Sequence, residues 1–111
     1  KYPGLPIIGF PRGSGYLYQE YIDQINIDAI GVDQFVPVDI IKKWQENIIV
    51  QGNFDPVLLL GGKEVIEKKA HDILTTLSNK NFIFNLGHGI LPNTPVENVQ
   101  FLVNYVRNYQ K

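Results

Sequence analysis

One histidine in this chain stands where an imidazole can work on a ligand. His88 is flanked by Gly87 and Gly89, directly after the apolar run Phe82–Leu86. Glycine lets a backbone turn sharply or approach a ligand closely. An imidazole donates, accepts or carries charge near neutral pH. Three other short apolar runs also end in polar groups: Arg12 after Pro6–Phe10, Asp33 after Ala29–Val32, and Asn53 with Asp55 after Ile48–Val50. On charge and position, Arg12 is suited to a carboxylate.

Each of these has a plainer reading beside it. Arg12 also fits a solvated loop. Asp33 suits hydrogen bonding to the backbone amides of its own turn, Asn53 suits a tight turn, and Asp55-Pro56 suits a helix start. Gly13-Ser14-Gly15 could cradle an anion at a helix start, but it lacks the full GxGxxG or GxxxxGK[ST] pattern. His71 lies inside a helical stretch beside charged residues, which reads as exposed surface. Trp44 and the six Tyr read as packing groups.

The elements that position these groups alternate. Tyr16–Ile25 has Leu17, Tyr21 and Ile25 at helical spacing. Pro37 and Asp39 introduce a short helical stretch with Ile40, Ile41 and Trp44 on one side. Lys63–Leu77 is a helix with Ile66, Ala70, Ile73, Leu74 and Leu77 on one face. The last helix has Thr94 as expected N-cap, Pro95 at the first helical position and Glu97 completing a capping box. Its apolar stripe is Val99, Leu102, Val103 and Val106.

The order is therefore strand then helix, repeated, with strands too apolar to face water on either side. That is the signature of a parallel sheet. Two architectures fit, a doubly wound sheet or part of a (β/α)8 barrel. In both, ligands gather at the C-terminal ends of the strands. Arg12, Asp33, Asn53 with Asp55, and His88 all fall there.

Composition narrows the function classes. The chain has 111 residues, with 10 Lys+Arg against 11 Asp+Glu, so no basic excess exists for bulk nucleic-acid binding. No apolar run approaches the roughly 18 residues of a membrane span. There is no Cys, which removes disulfides, a thiolate nucleophile and a cysteine-based zinc site. There is also no Met, and the chain opens on Lys1-Tyr2-Pro3-Gly4. The expectation is one domain, 1–111, that is part of a longer protein.

Asn85-Leu86-Gly87-His88-Gly89-Ile90, continued by Pro92, Thr94, Pro95, Glu97, Asn98 and Val99, resembles the C-terminal signature of the uroporphyrinogen decarboxylase family. Gln51-Gly52-Asn53-Phe54-Asp55-Pro56 resembles the family motif after its seventh strand. Gly9-Phe10-Pro11-Arg12-Gly13 and Gly31-Val32-Asp33 resemble the segments after the fifth and sixth. Gln34-Phe35 departs from the family, where many members have Trp or Thr after the Asp.

The resemblance implies four consecutive βα units, the C-terminal half of a (β/α)8 TIM barrel. It implies a cytoplasmic carboxy-lyase that removes carbon dioxide from the four acetate side chains of uroporphyrinogen III, with no cofactor and no metal. It places a substrate-binding role on His88 and leaves the catalytic aspartate and the N-terminal arginines outside the chain. Arg12 is the secondary substrate contact; Asp33, Asn53 and Asp55 are candidate site-lining residues. The implied partners are the porphyrinogen, a second copy of the parent in a homodimer, and the missing N-terminal half or another copy of the chain to close the barrel. Neither nucleic acid nor membrane is implied.

Three rivals stand beside this. A zinc-dependent methyltransferase of the same superfamily is disfavoured because its zinc ligands are cysteines. A non-catalytic fragment or interaction module fits a chain that lacks most of the catalytic set. A phosphate-binding half-barrel rests on Gly13-Ser14-Gly15 alone.

Overall fold

The computed structural model describes residues 4–13 and 15–109; Lys1, Tyr2, Pro3, Ser14, Gln110 and Lys111 lie outside the described residues, so the Gly13-Ser14-Gly15 reading rests partly outside them. Four strands, β1 (Ile8–Gly9), β2 (Ala29–Gly31), β3 (Ile49–Phe54) and β4 (Phe82–Leu86), alternate with four helices. These are α1 (Tyr18–Gln24), α2 (Val38–Trp44), α3 (Lys63–Leu77) and α4 (Val96–Asn108). The strands form one sheet in the order β1-β2-β3-β4. Every pairing is parallel, with Ile8 beside Ala29, Ile30 beside Val50, and Val50 beside Phe82.

Strand alternation divides the sheet into two faces. Ile30, Val50 and Phe54 join Ile41, Trp44, Ile66, Ala70, Ile73, Leu77 and Leu102 in the core beneath the helices. The opposite face is bare. Ile8 is 49% exposed, Ile49 37% and Ile83 42%. Among the described residues β1 pairs only with β2 and β4 only with β3, so both sheet edges are unpaired.

Polar ties hold the layers together. Asp28 accepts the Ile7 N–H at 2.7 Å and donates its own N–H to the Ile7 carbonyl, which fixes the start of the short β1. Gln45 is buried and donates to the carbonyls of Leu77 and Lys80, joining the ends of α2 and α3. The Asn98 amide donates to the Leu59 carbonyl at 2.7 Å and ties α4 to the connection after β3.

Four local expectations change. The third strand does not stop at Val50 but runs to Phe54, because β4 supplies a partner for each of Gly52, Asn53 and Phe54. Asn53 is thus a strand residue rather than a turn residue. The first helix splits into a 3-10 helix at Gly15–Leu17 and α1. Leu17 and Ile25 consequently stand 44% and 46% exposed, and Tyr18 is the buried residue. Ile40 is likewise exposed, while Ile41 and Trp44 carry the packing of α2. Finally, Pro95 has an extended ψ of 134° and serves as the N-cap position of α4, so the Thr94 box does not form. The Thr94 hydroxyl is buried without a hydrogen-bond partner among the described residues.

Candidate functional site

The C-terminal ends of the strands meet, as parallel pairing requires. The Gly87 N–H donates to the Phe54 carbonyl at 2.8 Å, which extends the β3–β4 ladder to the residue before His88. Gly87 also lies against the segment after β2. A Cβ there would come within 2.9 Å of the Asp33 carbonyl carbon, so only glycine permits the approach.

His88 is half-buried and faces a cavity of about 330 Å³. Phe10, Gly31, Gln51, Asn85 and Gly89 line it with His88. The cavity opens on the bare face of the sheet. Its floor forms because β2 carries glycine at position 31, where a Cβ would meet the Phe10 ring at 3.1 Å. The His88 Nδ1 lies 3.1 Å from the Gly89 carbonyl. A carbonyl only accepts, so Nδ1 carries the proton and donates. Nε2 is left for a ligand. In the neutral ring it accepts; in the imidazolium it donates to a carboxylate.

Gln51 and Asn85 join the cavity lining beyond the candidates at the strand ends. Strand periodicity is the signal that finds them. Each is the immediate strand neighbour of core-facing residues, Val50 or Phe84 and Leu86, and so points to the opposite face.

The other sequence candidates occupy distinct positions around this cleft. Asp33 is 3% exposed, and its carboxylate accepts from the Gly13 N–H at 2.8 Å, the Phe35 N–H at 3.0 Å and the Tyr18 hydroxyl at 3.1 Å. Asn53 is also 3% exposed, and its amide donates to the carbonyls of Asp33 and Val36. Asp55 accepts from the Val57 N–H and caps the 3-10 helix Pro56–Leu60. Arg12 is exposed and takes no hydrogen bond or ion pair among the described residues. His71 contacts the Tyr105 hydroxyl at 3.1 Å, between α3 and α4 and away from the cleft. Burial, with Glu67 and Tyr109 nearby, pushes the Tyr105 hydroxyl up from its ordinary value.

A larger cavity, about 560 Å³, lies on the other side of the 33–37 segment, against Gly13, Asp33, Phe35, Ile40 and Trp44. It is mostly apolar, and the acceptor oxygens of Asp33 are already taken. No group of three or more His, Cys, Asp or Glu side chains that could hold a metal ion occurs among the described residues. No helix among them is long and apolar enough to cross a membrane.

A parallel βα sheet that is open at both edges and gathers its polar groups at the strand C-termini is the architecture of a partial (β/α) barrel. Comparison with known proteins agrees. The family model of uroporphyrinogen decarboxylase matches residues 1–109, and the chain belongs to that family. It is 55% identical over 109 residues to the uroporphyrinogen decarboxylase of Rickettsia canadensis, which covers 98% of this chain and 32% of that protein. The proteins of the same name from Rickettsia rickettsii and Rickettsia felis are 54% and 56% identical over 110 residues, again 32% of their length. The chain thus spans about a third of the curated relatives it matches.

Proposed function

We propose that the chain supplies strands five to eight of a (β/α)8 barrel that decarboxylates uroporphyrinogen III to coproporphyrinogen III in the cytoplasm, as one subunit of a homodimer. The observation that carries this is His88. It sits after β4 in the family signature, in a cleft at the strand C-termini, with Nε2 unengaged. The family membership supports the substrate class.

The reaction fits the groups at hand. Protonation of a pyrrole α-carbon turns the ring into an electron sink. The C–C bond to the acetate carboxyl then breaks, and its electron pair enters the ring as carbon dioxide leaves. A proton added to the former methylene carbon completes the methyl group, and loss of the proton from the α-carbon returns the ring to a neutral aromatic pyrrole. The protein must orient the ring and pair the carboxylates. His88 binds a substrate side chain through Nε2, and Arg12 pairs a carboxylate at the rim. The groups that face the pyrrole nitrogens come from the remainder of the barrel.

The same reading accounts for the bare sheet face. In the parent, the rest of the barrel covers Ile8, Ile49 and Ile83 and pairs with β1 and β4. Alone, the chain closes those edges against a second copy. The test is decarboxylation of uroporphyrinogen III by the full-length protein and its His88→Asn variant. Normal folding with impaired product formation is expected. Wild-type turnover by the variant would remove His88 from the site.

A further inference from the structure

A carboxylate binds the segment that leaves β1. Between Phe10, which lines the cleft, and α1, the segment makes no strand pairing among the described residues. Its Gly13 N–H instead donates to Asp33 Oδ2 at 2.8 Å. The same oxygen accepts the Tyr18 hydroxyl at 3.1 Å, while Oδ1 accepts the Phe35 N–H. The Tyr18 oxygen in turn accepts the Asp33 N–H at 3.1 Å. Three donors from both sides of the β2 terminus thus converge on an acceptor-only group. The anchor is stiff. Tyr18 is wholly buried, its ring lies 5.5 Å from that of Trp44, and the Trp44 indole N–H donates to Gln19 at 2.7 Å.

We propose that Asp33 and Tyr18 form a positioning clasp that holds Arg12 at the rim of the His88 cleft, where its guanidinium receives a substrate carboxylate. Arg12 lies between the cleft residue Phe10 and the pinned residue Gly13, and its own side chain has no partner among the described residues. The clasp fixes the backbone on which that charge is carried, and so reduces the ordering left to be done on binding. Asp33 acts through Arg12 and is not itself a substrate contact. The carboxylate as ligand rests on the proposed function above; the clasp rests on the geometry alone.

The test has two arms, both on the full-length protein. Asp33→Asn replaces one acceptor oxygen with an NH2 group, so either the Gly13 or the Phe35 N–H faces a donor. Tyr18→Phe removes one donor and keeps the carboxylate, and it serves if the first variant does not fold. In the first arm, trypsin cleavage at Arg12-Gly13 is followed by mass spectrometry. The clasp predicts cleavage there at least roughly tenfold faster in the variants, with sites such as Lys80 and Arg107 unaffected. In the second arm, Arg12→Gln and Asp33→Asn each raise KM for uroporphyrinogen by roughly tenfold, the scale of one charge-assisted contact. The double variant then loses little more than either single one, as coupled residues require. Unchanged cleavage at Arg12 overturns the clasp. Additive losses, or a wild-type KM in Arg12→Gln, overturn the positioning role. A wild-type protein that does not turn over uroporphyrinogen refutes the functional reading, and the first arm then decides the clasp by itself.

Discussion

The Asn53 side-chain amide donates to the Asp33 carbonyl across 3.0 Å and to the Val36 carbonyl across 2.9 Å. A strand residue of β3 thereby holds the chain that leaves β2, and both partners are buried. Asn53→Ala strands two carbonyl acceptors away from water. In the full-length protein this costs on the order of 2 kcal/mol. A denaturant titration that shows an unchanged midpoint would contradict it.

Gly87 carries a second, steric constraint. Gly87→Ala places a methyl group within 2.9 Å of the Asp33 carbonyl carbon. Backbone cannot yield as a flexible side chain does, so a loss of roughly 1–3 kcal/mol is expected. The same substitution at Gly89, where a Cβ meets nothing within 4 Å, leaves the melting temperature nearly unchanged. Equal melting temperatures for the two variants would show that the close approach is absent.

Alkaline stability reports on Tyr18. Burial, and the neighbouring Asp33 carboxylate, push its hydroxyl from 10.0 up to about 12. The unfolded chain therefore loses this proton first as pH rises. The contribution of the neutral phenol is fully present below about pH 10 and disappears as pH passes through about 12. Its size is on the order of 2 kcal/mol. Urea midpoints of the full-length protein should fall more steeply over this range in wild type than in Tyr18→Phe. Parallel profiles would contradict the burial of this group.

The sheet itself makes a prediction about association. With the outer edges of β1 and β4 unpaired among the described residues and Ile8, Ile49 and Ile83 exposed, the isolated chain buries too little to stand alone. Each aliphatic side chain left in water forgoes about 1.5–3 kcal/mol. Light scattering should find dimers or larger species. A well-folded, dilute particle of 12.6 kDa would show that the edges need no partner.

Much of this fold was legible because the signals were periodic. Lys63–Leu77 and Phe82–Leu86 match their expected bounds, since an uninterrupted helical stripe and a glycine-terminated apolar run leave little choice. The errors fall where tertiary partners decide. Nothing local shows that Gly52-Asn53 continues a strand; β4 dictates it. Nothing local shows that Tyr18 rather than Leu17 turns inward; the Asp33 carboxylate draws its hydroxyl. At the site, the clustering of strand ends followed from parallel topology. The division of labour among Asp33, Asn53 and His88 did not, because it depends on which side chains meet backbone and which face the cleft.

The proposed role of His88 is to present Nε2 to a porphyrinogen side chain at the mouth of a barrel that this chain supplies only in part. Its most direct test is the rate of coproporphyrinogen III formation by three samples: full-length protein, full-length His88→Asn, and the isolated chain. Turnover is expected from the first, a fall of at least roughly tenfold with unchanged folding from the second, and none from the third. Full-length His88→Asn turning over at the wild-type rate, or product from the isolated chain free of longer protein, would contradict it.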